Sequence, residues 1–459
     1  MSYPARNFSK RDPEHGRSHS QTTTIASRAP ILKETTALPP VPSSGGYSGV
    51  IDGLDSKGEN LARTKSAGSP AGAFRPQSEE EWKAKQLPPV PPLLNTLYTV
   101  SYLIFFSIWG TLLRLGIQWS TFYPGTPIVT PAVWANFGGS LIMGFLLEDH
   151  NLFRDVSRTI LSSEKPQNWE DLNDKDELAK QKKRSPLYIG LAVGFCGCLT
   201  SFSAFARDIF LALSNDLPTP NSHPFDTAPL PTYSADRNGG YSVEAVLAVV
   251  STTLALSLGG LIVGAHLAQS LERHLPVLPP LLLRKALDPL MVFLGWGCWL
   301  GAVLLAIFPP SEAWRGEVLF ALVFAPAGCL LRYYSSSTLN SLVVTFPLGT
   351  FAVNMFGSAV EGMAYDVQHV GVGIMGLPGG GRIGCQILQG VMDGFCGSLT
   401  TVSTFVAEIR ALRRRHAYTY ALVSVLGSLG LMLVIMGSVR WTVGWGEAVC
   451  PTGYTSKVS

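Results

Sequence analysis

The sequence is short of charge: Asp, Glu, Lys and Arg make up only 15% of its 459 residues, while 46% are hydrophobic. A soluble domain carries roughly a quarter charged residues, so this balance points to a membrane. Catalytic groupings are also missing. No Ser/His/Asp or Cys/His set recurs, and the eight histidines are scattered. A net charge of +3 is too small to argue for a nucleic-acid partner. Cys196, Cys198, Cys298, Cys329, Cys385 and Cys396 lie in or beside apolar segments and Cys450 near the end, with neither disulfide-framework nor zinc spacing. The pair Cys196 and Cys198 reads as small-residue packing inside a membrane rather than a metal site. No cleavable signal peptide is visible, the first 90 residues being polar. The string GVGIMG, Gly371 to Gly376, matches a dinucleotide fingerprint by letters only, since no strand precedes it. Nothing here points to an enzyme.

What the chain has is apolar length. A helix needs about 20 apolar residues to cross a bilayer, and nine segments qualify: 96–118, 127–148, 187–213, 243–271, 289–308, 316–336, 345–365, 384–410 and 417–440. Residues 1–95, rich in Ser, Pro, Gly, Arg and Lys, read as a disordered cytoplasmic tail. Its pieces LPPVPSS and LPPVPPL favour polyproline II. They read as a tether, with docking to an adaptor as the other use.

The apolar part is written twice. GTLLR, ending at Arg114, returns as GCLLR, ending at Arg332. NFGGSLIMG, from Asn136, returns as NMFGSAVEG, from Asn354. Both pairs are offset by 218 residues. GFCGCLTSFSAFARDI, Gly194 to Ile209, returns as GFCGSLTTVSTFVAEI, Gly394 to Ile409, offset by 200. One shortened loop accounts for the difference. The implied units are a first four-helix repeat at 96–272, a linker with a single crossing at 273–313, a second repeat at 314–441 and a short tail at 442–459.

Parity decides the architecture. Four crossings return the chain to its starting side, and the extra one inverts the second repeat about an axis in the membrane plane. The expected fold is therefore an all-α polytopic membrane protein of two inverted four-helix repeats. Charge agrees: Arg154, Arg158, Lys165, Lys175, Lys180, Lys182, Lys183 and Arg184 fill one loop, with Arg273, Arg284 and Lys285, then Arg410, Arg413, Arg414 and Arg415, in two more. By the positive-inside rule these face the cytosol, putting the N-terminus inside and the C-terminus outside.

Several repeated residues are candidates for a site. Asn136 and Asn354 place an amide inside the membrane, either bonded to backbone or offering donors to an anion. Gly197 and Thr200, with Gly397 and Thr400, mark a helix break whose freed carbonyls can hold a cation. Phe202 and Phe205 share a helix face; their positive ring edges suit a small anion. Thr253 and Ser257, like Ser424 and Ser428, are spaced to form a hydroxyl track. Arg114 and Arg332 are expected at helix ends, and Asp208 and Glu408 as anchors for loops or arginines. Glu361 lies within a span where the first repeat has Met143, which argues for a role confined to one repeat.

Taken in order and twice over, G-x-x-x-R, N-x-x-G-S-x-x-x-G and G-F-x-G-x-L-T-[TS]-x-S-x-F resemble the CrcB/Fluc fluoride-channel family in its two-domain eukaryotic form, across about residues 96–440. The resemblance implies one chain doing the work of a dual-topology homodimer, with two fluoride pores and a central structural Na+. It makes Asn136 and Asn354 pore residues and assigns the Na+ to the carbonyls of Gly197, Thr200, Gly397 and Thr400. Arg114 and Arg332 become structural motif residues. It also implies that each pore takes ring positions from opposite repeats: Phe202 with Phe405 in one, Phe205 with Val402 in the other. Val402 departs from the pattern, so the first pore is expected to conduct and the second to be degenerate.

The expected function is passive export of the fluoride ion across the plasma membrane by a single chain embedded in the lipid bilayer, with no nucleic-acid partner. The rival expectations are a proton-coupled small-anion transporter working through Glu361, and a membrane scaffold using its proline-rich tail.

Overall fold

The computed structural model describes residues 90–123, 125–157, 175–218, 238–372 and 376–450. Residues 1–89, with LPPVPSS and the first three letters of LPPVPPL, the part of the basic loop at 158–174, the centre of the GVGIMG string and the residues beyond 450 lie outside the described residues.

The described chain is helical apart from one two-stranded hairpin. Helix α1 (Pro92–Thr121) starts on a proline, whose missing N–H costs nothing in a first turn. It is followed by α2 (Ala132–Glu148) and the short α3 (Lys175–Lys182). Next come α4 (Pro186–Ile189, continuing through a π-helical turn Gly190–Cys196 to Gly197–Leu199) and α5 (Phe202–Ser214). Helices α6 (Gly239–Leu271) and α7 (Pro280–Ile307) complete the first half. The second half holds α8 (Glu312–Leu339) and α9 (Leu348–His369), then strands β1 (Gly371–Val372) and β2 (Leu377–Pro378). It closes with α10 (Arg382–Gly390, continuing through Val391–Cys396 to Gly397–Leu399), α11 (Ser403–Ala411) and α12 (Arg414–Thr442).

Six of these segments are long and apolar enough to cross a membrane: α1, α4 with α5, α6, α7, α8 and α12. This is an all-α multi-pass membrane protein. The other three expected spans fall on α2, which is apolar but has only 17 residues, on α9, and on the broken α10–α11. These last carry the Asn, Glu and hydroxyl groups of the repeated motifs, which lower their hydropathy.

Backbone approach sets the packing. A Cβ on Gly264 would overlap the carbonyl of Leu141, and one on Gly144 that of Leu261, so α2 and α6 run with their backbones in contact. Their counterparts are further apart: a Cβ on Gly362 of α9 would meet only side chains of α12, Met432 Sδ at 3.1 Å first. Helix α7 leans on α1, where Tyr102 donates to Asp288 Oδ1 (3.0 Å) and Trp296 to Ser101 Oγ (3.2 Å). Its other side exposes Leu290, Phe293, Leu300 and Leu304, a face suited to lipid.

Two sequence expectations are corrected. Arg114 and Arg332 do not lie at helix ends: α1 and α8 continue past them by about two turns, and both side chains are buried. The cysteines do include a disulfide, between Cys385 in the first turn of α10 and Cys450 beyond α12. The partners are 65 positions apart in sequence, and their meeting is a product of tertiary packing that spacing could not reveal.

Candidate functional site

At the centre, both copies of the third motif break as their glycines and hydroxyls predict. Thr200 and Thr400 turn to extended backbone (ψ 148° and 155°) between the two helical halves. π-helical turns precede the breaks, and one carbonyl within each turn accepts from an arginine of the other repeat. Arg332 donates to Val193 O at 2.6 Å and Arg114 donates to Asp393 O. Both guanidinium groups rest on the glycine after the turn, Gly197 and Gly397, where a Cβ would collide with them. The arginines are braces between the repeats.

The breaks are capped crosswise. The amides of Phe202 and Ser203, opening α5, donate to Thr400 Oγ1 (3.1 and 2.9 Å). Those of Val402 and Ser403, opening α11, donate to Thr200 Oγ1 (3.2 and 3.1 Å). Each threonine hydroxyl donates to a carbonyl of its own repeat, Cys196 O or Cys396 O (3.1 and 2.9 Å). Neither helix start is complete without the other half of the chain. Asn136 clamps the next residue: its Oδ1 accepts from Ser201 N (2.9 Å) and its Nδ2 donates to Ser201 O (3.4 Å). Asn354 does the same with Thr401 (2.9 and 3.3 Å). The backbone role weighed in the sequence is therefore present, and it uses one of the two N–H bonds of each amide.

The rings follow the caps. Phe202 meets Phe405 edge to face across the repeats, centroids 5.2 Å apart, and also touches Phe205 at 5.5 Å. Phe405 leans on Tyr420 of α12 (5.1 Å). Val402 and Phe205 are buried in the same core. Beside the rings, the hydroxyls of Ser424 and Ser358, and of Ser257 and Ser140 in the first repeat, are buried without a hydrogen-bond partner among the described residues. A serine in a helix ordinarily bonds back to its own backbone, as Ser428 does to Val425 O (2.9 Å). Leaving a hydroxyl unpaired costs about 1–3 kcal/mol, so these four mark places that favour an occupant. Thr253 is buried on the same face of α6, one turn before Ser257.

Two tracks result. The second-repeat track runs between α9, α12, α5 and α11. Asn354, Ser358, Glu361 and Tyr365 lie along one face of α9; Tyr420, Ser424, Ser428, Met432 and Met436 along one face of α12. At one end, Glu408 accepts from Thr350 Oγ1 (2.7 Å), Tyr420 OH (2.8 Å) and Asn340 Nδ2 (3.4 Å). Towards the other end, Arg207 donates to Glu361 Oε1 (2.8 Å) and to Asp208 Oδ1 (3.3 Å), all three being buried. Glu361 thus has a partner on the opposite repeat. A cavity of about 430 Å³ opens beside Glu408, lined by Tyr188, Arg332, Asn340, Leu412 and Lys183 among others. Burial pushes the Lys183 ammonium down to about 8, which leaves it mostly charged at neutral pH. The first-repeat track, between α2, α6, α5 and α11, has Asn136, Ser140, Thr253 and Ser257, and α2 and α6 stand backbone to backbone at Gly144 and Gly264.

Gly197, Thr200, Gly397 and Thr400 do come together at the crossed caps, and no His, Cys, Asp or Glu cluster able to hold a metal exists among the described residues. Backbone oxygens freed by a break suit a hard monovalent cation, although Arg332 Nη1 already donates to Thr400 O at 3.4 Å.

A model described as CrcB-like protein, Camphor Resistance (CrcB), matches residues 101–220 and again 319–438. Fluoride export protein 1 of Neurospora crassa is 53% identical over 383 residues, 79% of this chain and 70% of that protein. Fluoride export protein 1 of Candida albicans is 31% identical over 345 residues, 74% of this chain and 79% of its own. The fluoride-specific ion channel FluC of Pseudomonas aeruginosa is 34% identical over 137 residues, which is 28% of this chain but 98% of that protein. No solved structure matches. A family domain present twice, in a chain that matches some relatives over most of both lengths and others over about a quarter of its own, accounts for the repeated motifs: this chain belongs to the CrcB family.

Proposed function

We propose that this chain is a passive fluoride channel that carries the ion out of the cytosol along the second-repeat track. The names of its relatives supply the ion. The observation that carries the choice of track is the Phe202–Phe405 contact, which reaches Tyr420 of α12 one turn before the unpartnered hydroxyl of Ser424. Fluoride is small and tightly hydrated, so a pathway must replace its water with donors and positive ring edges in a narrow space. Asn354, Ser424, Ser428, Phe202 and Phe405 offer that set. The first-repeat track, with Asn136, Thr253, Ser257, Phe205 and Val402, lacks one ring. Outside a weakly acidic cell, fluoride enters as HF and loses its proton inside; a channel returns the ion down its own gradient without coupled energy.

The nine crossings, inverted repeats and plasma-membrane placement, with N-terminus inside and C-terminus outside, belong to the same proposal. Parity and loop charge support it. So does the Cys385–Cys450 bond, since a disulfide persists on an oxidising face and this one lies where the chain emerges from α12. The crosswise exchange of Thr200 and Thr400 supports an inverted pairing, because each helix start is finished by the other repeat. A Na+ at the carbonyls of Gly197, Thr200, Gly397 and Thr400 would hold the two breaks together. Exchanging Na+ for a bulky organic cation should then lower the thermal midpoint, and an unchanged midpoint rejects the ion.

The test of function is ion efflux from liposomes containing the purified protein, fluoride against chloride. Absence of fluoride flux sinks the channel. For the track, Phe405→Ala should abolish efflux and Phe205→Ala should spare it; the reverse result moves the pathway to the first repeat.

A further inference from the structure

The segment after α12 crosses the end of the second-repeat track that lies beyond Arg207 and Glu361. Under it, Phe210 and Leu211 of α5 and Met432 and Met436 of α12 are fully or almost fully buried, with Tyr365 and Trp445 packed against them. Trp445 fills the gap. Its ring lies 4.9 Å from Tyr365 and 6.1 Å from Phe210, and its Nε1 donates to Asp366 Oδ1 at 3.0 Å. Arg440, held bidentate by Asp216 at 2.9 Å, covers the other side of the indole. The chain then passes over the end of α9, where Gly446 N donates to His369 O (2.8 Å), and is tied to α10 by the Cys385–Cys450 bond.

The backbone of this crossing is irregular and partly exposed. Gly444, at φ 80°, gives it the turn out of α12 that a residue with a Cβ resists. Its contacts with α5 and α9 centre on one side chain, Trp445, through the indole bond and the ring contacts, with Gly446 N on His369 O beyond it. The covalent tie is at the far end. That is the build of a hinged flap, with Gly444 as hinge and the disulfide as latch.

We propose that residues 443–450 form a latched lid over the exit of the conducting track, and that lifting Trp445 off Tyr365 and Phe210 limits the rate of ion passage. This rests on the second-repeat track being the pathway. Opening the latch needs a reductant. A phosphine takes oxygen from water and leaves Cys385 and Cys450 as two thiols; a thiol oxidant takes the two hydrogens back and re-forms the bond.

The experiment is fluoride efflux from liposomes by ion-selective electrode. Trp445→Ala, and separately Cys385→Ser with Cys450→Ser, should each raise the initial rate about threefold or more, as expected when a lid rather than passage is limiting. Wild-type protein treated with a membrane-impermeant phosphine should reach the same rate and return on reoxidation. That measurement and Trp445→Ala carry the test if the cysteine variant does not fold. Wild-type rates in both overturn the lid. Phe405→Ala in the same series separates the causes: inactive, it leaves the pathway standing and the lid alone refuted; fully active, it removes pathway and lid together.

Discussion

Replacing Thr400 by Val tests whether the two halves of this protein are held by each other's helix starts. Val keeps the shape of Thr, so no cavity opens and only the hydroxyl is lost. In the structure that oxygen accepts from Phe202 N and Ser203 N, the first two amides of α5, at 3.1 and 2.9 Å. Thr400, Phe202 and Ser203 are all buried, so no water replaces the acceptor. Loss of a helix cap costs about 0.5–2 kcal/mol, and a buried donor left unpaired about 1–3 kcal/mol. Ser201 still caps Ala204 N (3.2 Å), which limits the damage to the first turn. The expected loss is about 2–4 kcal/mol, read as a lower thermal midpoint of the detergent-solubilised protein. Thr200→Val should lose a similar amount at the start of α11, because its hydroxyl has the same two partners there. A further readout separates local from global effects: Phe202 is the first residue of α5, so Thr400→Val should also reduce fluoride efflux per folded molecule. If Thr400→Val melts with wild type, the crossed caps do not hold the halves together.

Two other perturbations follow from the same geometry. Gly144→Ala drives a methyl into the carbonyl of Leu261, whereas Gly362→Ala meets side-chain atoms of Met432, Ile435 and Met436 at 3.1–3.3 Å; the first should destabilise by about 1–3 kcal/mol or more and the second by clearly less, compared by thermal midpoint. Arg207→Met leaves Glu361 and Asp208 buried without their cation and should cost about 3–5 kcal/mol, whereas Arg207→Met with Glu361→Met should recover only part of that loss, Asp208 still being unpaired. A double variant no more stable than the single one would mean that the pair is not what holds α5 to α9.

Much of the centre could be read from the letters because it is built from local rules applied twice. Gly194, Gly197, Thr200 and Ser201 weaken a helix wherever they fall together, and the chain does break at Thr200 and at Thr400. What the letters could not show is which half finishes which. Only the fold reveals that Thr400 caps α5, or that Arg332 reaches back to Val193. The arginines were misplaced to helix ends because the motif stops there while the helix does not. Departures from the repeat are the more instructive cases. Glu361 stands against Met143, and Arg207 against Ala407, at matched positions of the two copies. Read singly, each is a charge stranded in a membrane, which is costly. Read together, they are opposite charges that break the repeat in opposite halves, and the fold brings the two into contact at 2.8 Å. Cys385 departs too, standing against Ser185. Its partner lies outside both repeats, Cys450 in the tail, so no copy of the motif could have shown it. Val402 against Phe202 is the exception. Its change removes a ring without adding a charge or a bond, so nothing in the fold needs to compensate it. The proposed assignment of conduction to the other track accounts for such a change, since a ring lost beside an unused pathway costs no flux.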